Sequence, residues 1–318
     1  MKMRALGRTG IQIAPIVLGG NVFGWTADEK TSFAVLDSFA EAGCNAVDTA
    51  DVYSSWAPGN KGGESETIIG KWMKARGNRN QMVVITKVGS DMGGGRKGLG
   101  AAYIEKAVDA SLQRLGIETI DLYLSHWPDA ETPYTETLGA YEKLLQKGKV
   151  RAVGASNLDA NQLREALTTA RERKLPRYAV LQPEYNLYDR SGFEGALQDL
   201  CIKEEIGVIT YFGLAKGFLT GKYREKSDLA QSQRGEDVAD YMNPRGMQIL
   251  EALDQVAKRH NARPAEVALA WVMAQPGVTA PIASATSVEQ VRSLVRAASL
   301  NLEVADLALL NGTGPRQL

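Results

Sequence analysis

Eight short runs rich in apolar and β-branched residues recur along the chain, most of them separated by longer stretches with helical periodicity. The runs are Ile16–Gly19, Ala46–Ala50, Met82–Val88, Ile120–His126, Val150–Ser156, Tyr178–Gln182, Val208–Phe212 and Ala280–Ser284. Between them, Ile104, Ala107, Val108, Ser111, Leu112 and Leu115 fall at the i, i+3, i+4 spacing of one apolar helix face. Leu163–Ala170, Ile249–Ala257 and Val288–Ala298 repeat the pattern. Strand–helix alternation implies a parallel sheet, because parallel neighbours need a crossover element between them. Eight units favour a closed (β/α)8 barrel over an open sheet, and 318 residues suit it, since such barrels run from about 200 to over 400 residues. The expected organisation is one domain over residues 1–318 rather than two.

Three segments depart from the repeat. Residues 3–14, with a turn at Thr9-Gly10, read as a short N-terminal β-hairpin. Residues 221–246 are polar and rich in Gly, Ser and Asp, and read as a long loop near the barrel mouth. The Leu- and Ala-rich tail from Leu302 reads as an extra C-terminal helix with a frayed end at 312–318.

The 37 basic and 37 acidic residues cancel, which gives no bulk electrostatic case for nucleic acid or an anionic membrane. No run approaches the roughly 18 apolar residues of a membrane span, and no signal stretch precedes Gly10, so the expected location is the cytoplasm. Cys44 and Cys201 sit in apolar segments and read as packing residues in a reducing compartment. Neutral net charge carries no information on oligomeric state.

The chemistry gathers at strand ends. Asp48, Lys87 and His126 close the second, third and fourth runs, and Tyr53 lies just beyond the second. A barrel of this type holds its active site at the C-terminal ends of its strands, so these side chains meet across one mouth. Singly, a Lys ending a strand is a solvated rim residue and a lone His a structural one. Four such residues on successive strands, in a chain with only two histidines, indicate a site. The second histidine, His260, stands at a helix end and reads as a surface or capping residue. Two other motifs fail on context. Gly93–Gly98 fits G-x-G-x-x-G, but the acidic residue of a dinucleotide turn should end the next strand, and Asp121 begins it. Gly221-Lys222-Tyr223 lacks the hydroxyl residue of a P-loop. No ligand cluster for a metal is visible.

The stretch Asp48-Thr49-Ala50-Asp51-Val52-Tyr53 resembles the signature of the aldo-keto reductase family. So do Ile85-Thr86-Lys87, Ser125-His126-Trp127, Gly154-Ala155-Ser156-Asn157 and Gln182-Pro183-Glu184-Tyr185-Asn186, in order along nearly the whole chain. The resemblance implies a (β/α)8 barrel that binds NADP(H), or in some members NAD(H), and interconverts a small-molecule carbonyl and its alcohol. It implies that Tyr53 is the general acid, that Lys87 and Asp48 tune it, and that His126 places the substrate oxygen. A free tyrosine titrates near pH ~10, and the expectation is that the Lys87 ammonium lowers that value.

The same resemblance assigns Ser156, Asn157 and Gln182 to the nicotinamide amide and Tyr211 to its ring. Gly20 and Asn21 belong to the cofactor side. Phe212, Leu214, Lys216, Gly217 and Lys222 fall in the family's pyrophosphate-wrapping segment, where Phe212, Gly213 and Ala215 replace the commoner serine, proline and glycine. Thr286 stands where many relatives carry an arginine that grips the 2′-phosphate of NADP. Ser284, Thr286 and the helix start after them can offer hydroxyls and amides instead, and Gln290 is expected at the adenine. NADP(H) is favoured and NAD(H) left open. Phe23, Trp25 and Trp127, with residues 51–60 and 221–246, are expected to line a substrate pocket suited to an uncharged or bulky carbonyl. The competing expectation is a cofactor-binding regulatory subunit of the potassium-channel β type, with little turnover.

Overall fold

The computed structural model describes residues 1–231 and 235–314. Its first two strands, β1 (Arg4–Ala5) and β2 (Gln12–Ile13), form an antiparallel hairpin. Eight parallel strands follow: β3 (Val17–Gly19), β4 (Ala46–Asp48), β5 (Val83–Val88), β6 (Ile120–Ser125), β7 (Val150–Ser156), β8 (Val180–Gln182), β9 (Gly207–Thr210) and β10 (Val278–Ala283). Each pairs with the next, and β10 pairs with β3, so the sheet closes into the expected barrel.

Side-chain alternation along these strands builds the interior in layers. The inward row starts apolar, with Val17, Ala46, Val83, Ile85, Leu122, Leu124, Ala152, Val180, Ile209, Ala280 and Ile282 in one buried cluster. Continuing each row by two residues toward the C-terminal end gives Gly19, Asp48, Lys87, His126, Gln182, Tyr211 and Ser284, and two such steps from Ala152 give Ser156. The polar mouth is therefore the next layer of the same alternation. At the opposite end Leu6, Ile11 and Ile13 of the hairpin join the interior cluster and stopper the barrel. Arg4 fastens that stopper by donating to the Met273 and Thr279 carbonyls, each at 3.0 Å.

The outward faces pack under helices α1 (Glu29–Glu41), α2 (Glu64–Arg76), α3 (Ala101–Leu115), α4 (Tyr134–Gln146), α5 (Ala160–Arg173) and α6 (Ala196–Lys203). Two helices, α7 (Pro244–His260) and α8 (Pro264–Ala274), separate β9 from β10. α9 (Val288–Ser299) and α10 (Val304–Asn311) follow, α10 being the expected extra helix. Of the two, α8 lies against β10 and α9, while α7 packs outside it with α10. His260, in the last turn of α7, is partly buried rather than a free surface residue. It meets the buried Asp306 carboxylate at 2.6 Å and ties α7 to α10.

The segment 221–246 is less of a loop than its composition suggests. Short 3-10 turns occupy Lys226–Gln231 and Glu236–Tyr241, and Asn243 caps the start of α7 by accepting from the Gly246 amide. Residues 232–234 and the tail 315–318, including most of the expected frayed end, lie outside the described residues. Cys44 and Cys201 are buried free thiols. Among the described residues no helix is long and apolar enough to cross a membrane.

Candidate active site

The registers explain why Asp48 and Lys87 meet. Asp48 of β4 pairs with Ile85 of β5, and Lys87, two residues on, projects from the same face one step nearer the mouth. Its Nζ donates to Asp48 Oδ2 at 2.7 Å, to the Thr49 carbonyl at 2.8 Å and to the Tyr53 hydroxyl at 3.0 Å. An ammonium has three donors, and all three are used. Asp48 accepts from Gln182 Nε2 at 2.8 Å on its other oxygen, so both of its neighbours are donors. The Tyr53 oxygen accepts from Lys87, which leaves the phenol hydrogen free to face the pocket.

Burial alone would push the Lys87 ammonium down, but Asp48 and Tyr53 outweigh it and hold the group above the usual lysine range. Burial raises Asp48, against the pull of Lys87 and Gln182. The expected lowering of Tyr53 is not found. Burial, reinforced by Asp48 and Asp51, raises the phenol although Lys87 opposes it. Tyr53 is therefore a protonated donor at neutral pH. His126 is driven the other way, well below the ordinary imidazole range, first by burial and then by Lys87. It stays neutral.

A pocket of about 1050 Å³ opens above this floor. Asp48, Tyr53 and His126 line it, while Lys87 sits behind Tyr53 and is fully buried. Of the expected cofactor residues, Asn21, Ser156, Asn157, Gln182, Tyr211, Ser284 and Gln290 line the pocket. Several are already tied to one another. Tyr211 donates to Asn157 Oδ1 at 2.7 Å, and Asn157 Nδ2 donates to the His126 carbonyl at 2.9 Å. Ser156 donates to the Gln182 carbonyl, and Ser284 to Asn21.

Phe212, Leu214, Lys216, Gly217 and Lys222 also line it. The chain there turns left-handed at Phe212 (φ 54°), Ala215 (46°), Lys216 (56°) and Gly217 (108°). Such successive turns make concave walls of main-chain amides that suit an anion.

Three expected residues are elsewhere. Phe23 is fully buried in the core, because the 3-10 turn Gly20–Val22 directs it inward, where its carbonyl accepts from Ser54. Gly19, not Gly20, forms the wall, and Gly20 lies behind it, where a Cβ would come within 3.0 Å of the Asp48 carbonyl. Thr286 is outside the pocket lining, and its amide and hydroxyl both donate to Gln290 Oε1. The helix start after it is likewise engaged, since the Gln290 amide is capped by Ser287.

Further residues complete the site, and two of them, Arg263 and Ser90, are not singled out by the sequence. Arg263, at the start of α8, lines the pocket near Gln290 and pairs with Glu289 at 2.7 Å. Ser90, three residues past Lys87, lies 2.8 Å from His126 Nδ1. Trp56, within the stretch 51–60, meets Trp25 and Tyr53 edge-on at 5.9 and 5.5 Å between ring centroids. Trp127 stacks on His126 at 5.7 Å. From the segment 221–246, Lys222 and Asp237 reach the lining. The glycine-rich turn 93–98 is exposed apart from Gly98 and takes no part in the lining. Asp121 is structural, bridging Arg79 and Arg151 at the opposite strand ends. No group of three or more His, Cys, Asp or Glu residues that could hold a metal occurs among the described residues.

Comparison with known proteins decides the family. Residues 15–313 match the family model described as aldo/keto reductase family. The chain belongs to that family. An uncharacterized oxidoreductase of Bacillus subtilis, YrpG, is 34% identical over 99% of this chain and 96% of its own length. The NADH-specific methylglyoxal reductase of Escherichia coli is 32% identical over 98% of this chain and 97% of its own. A probable voltage-gated potassium channel subunit beta of rice is 32% identical over 92% and 89%. The aldo/keto reductase family supports oxidoreductase chemistry at carbonyl groups for this chain, in a barrel of the observed kind.

Proposed function

We propose that this aldo/keto reductase reduces an aldehyde or ketone, reversibly, with Tyr53 as general acid. The observation that carries the reading is the donor inventory at Lys87. With its three N–H groups committed, the lysine can only donate to the Tyr53 oxygen, and the phenol proton is left for a substrate oxygen in the pocket. A nicotinamide cofactor, when bound, supplies the hydride.

The protein's own groups do the rest. His126, neutral and on the same mouth, hydrogen-bonds the carbonyl oxygen and holds it beside Tyr53. As negative charge builds on that oxygen, Tyr53 delivers its proton, and the Lys87 ammonium stabilises the phenolate left behind. Asp48 keeps Lys87 charged and oriented.

The pocket fits a dinucleotide. Its volume exceeds the roughly 300–1,000 Å³ common for small-molecule sites, and the left-handed turns at 212–217 with Lys216 and Lys222 offer an anion cradle. Ser156, Asn157 and Gln182, which line the pocket, would take the nicotinamide amide, and Tyr211 its ring. NADP(H) is the favoured cofactor and NAD(H) the second. Arg263 offers the guanidinium that position 286 lacks, and it can exchange Glu289 for a 2′-phosphate. Trp25, Trp56 and Trp127 suit a bulky or aromatic, uncharged carbonyl.

Fluorescence titration with NADPH and NADH, followed by cofactor oxidation across a carbonyl panel, tests the reading. Wild type should turn over and Tyr53→Phe should lose activity by orders of magnitude. Equal rates in the two proteins would remove Tyr53 from the role of acid. The rice channel subunit favours a second reading, a cofactor-binding regulator. Tight cofactor binding with negligible turnover on every carbonyl would select it.

A further inference from the structure

Ser90 is a buried hydroxyl with two ring partners. Trp127 Nε1 donates to its Oγ at 3.1 Å, and the same Oγ lies 2.8 Å from His126 Nδ1. An indole N–H can only donate, so the Ser90 oxygen is the acceptor in that bond. Its own hydrogen then needs an acceptor, and among the described residues His126 Nδ1 is the one within reach. Nδ1 must accordingly be the bare nitrogen, and the ring proton must sit on Nε2. In the opposite tautomer Ser90 would take two N–H donors, and its hydroxyl hydrogen would have no protein acceptor among the described residues and only the pocket that Ser90 lines to turn to, which is costly for a hydroxyl this little exposed.

Other contacts hold the residue in place. Trp127 stacks on it with planes 13° apart. The His126 amide donates to the Val88 carbonyl at 2.8 Å, and its carbonyl accepts from Asn157. Nε2 is the ring nitrogen that Ser90 does not hold, on a residue that lines the pocket.

We propose that Ser90, with Trp127 behind it, is a positioning residue that locks His126 in the Nε2–H tautomer and so aims one neutral N–H donor at the carbonyl oxygen. The catalytic half of this inference rests on the carbonyl reductase reading, whereas the tautomer lock stands on its own. A serine at this place does for the imidazole what a carboxylate or main-chain carbonyl does elsewhere, with the opposite result. Those acceptors fix the proton on the near nitrogen, while a donating hydroxyl fixes it on the far one.

The chain has two histidines, so side-chain nitrogen NMR of the full protein labelled with 15N-histidine resolves the question, with His260→Gln assigning the second ring. Wild type should give the Nε2–H pattern at His126. Ser90→Ala should give a mixed pattern and lower kcat/KM for the carbonyl on the order of tenfold to a hundredfold, and Ser90→Thr should restore both. Trp127→Phe keeps the stack, removes the donor and should also loosen the tautomer. It serves as the second test if Ser90→Ala does not fold. An Nδ1–H pattern in wild type, or an unchanged Nε2–H pattern in Ser90→Ala, overturns the lock. A shifted tautomer with wild-type kcat/KM overturns the positioning role. Absence of carbonyl turnover in the wild type sinks the reductase reading instead, and the nitrogen spectra still decide the lock.

Discussion

Each end of the pocket holds an ion pair, and the two are built in opposite ways. Lys87 and Asp48 lie 2.7 Å apart with side chains 0% and 4% exposed, whereas Arg263 and Glu289, at the same separation, are 56% and 53% exposed. The buried pair survives desolvation because its remaining hydrogen-bonding capacity is met by Thr49, Tyr53 and Gln182. The exposed pair is worth little to the fold, about 0–1 kcal/mol, and can change partners without disturbing it. On the proposed reading, the chemistry is thus seated where substitution is costly, and cofactor choice where it is cheap.

Lys87→Met strikes the buried side. It leaves Asp48 as an uncompensated buried charge, so urea unfolding should show a loss of about 3–5 kcal/mol, and turnover should fall by about a hundredfold or more. An unchanged unfolding midpoint would erase the contrast.

Asp51 sharpens it from another direction. This carboxyl is 2% exposed, and neither oxygen has a well-formed hydrogen bond among the described residues, the Val52 amide pulling on it only weakly. Burial, and then Glu66, push it up to about 7, against Arg114 and Lys87. The fold keeps this proton up to that pH, while an unfolded chain gives it up near 3.8. Its contribution to stability is therefore complete below about pH 4 and is lost as pH rises through 7. Asp51→Asn should unfold like wild type at pH 4 and become more stable than it by as much as about 4 kcal/mol above pH 7. A constant difference across that range would show that Asp51 is paired after all.

On the exposed side, Arg263→Ala should shift the ratio of NADPH to NADH dissociation constants toward NADH by about tenfold, or about 1.4 kcal/mol. The unfolding free energy should change by less than about 1 kcal/mol. An unchanged ratio would take the guanidinium out of cofactor selection. The smallest effect belongs to the mouth. Trp56→Ala should weaken an aromatic carbonyl by about 0.5–1.5 kcal/mol in KM relative to a small aliphatic one, and equal loss on both would mean that the ring only packs.

The strand ends were legible because two periodicities coincide there. The alternation that places Ile85 inside the barrel also places Lys87 at its mouth, and Leu124 does the same for His126. Helix α8 left no such trace. Val267 to Met273 are all buried, so the segment has no polar face to mark its period. Arg263 stands at its start and carries no periodic signal either.

Phe23 misleads for a related reason. An aromatic residue after a glycine turn reads as a rim residue, and only the inward course of Gly20–Val22 shows that it is core. The protonation of Tyr53 depends on how much water the fold excludes, which the sequence does not carry. Ser90 was accessible in principle, one turn of chain past Lys87, but its meaning depends on the indole hydrogen of Trp127, a contact that only the fold brings about.

The N-terminal stopper has a consequence for the order of events during synthesis. Leu6, Ile11 and Ile13 leave the ribosome before the barrel strands, yet the interior they fill is not enclosed until β10 arrives beside β3. The carbonyls that anchor Arg4 belong to residues 273 and 279, nearly the whole chain later. The hairpin is therefore made before the barrel strands yet is among the last parts to be sheltered, and until the barrel closes its apolar side chains stay exposed.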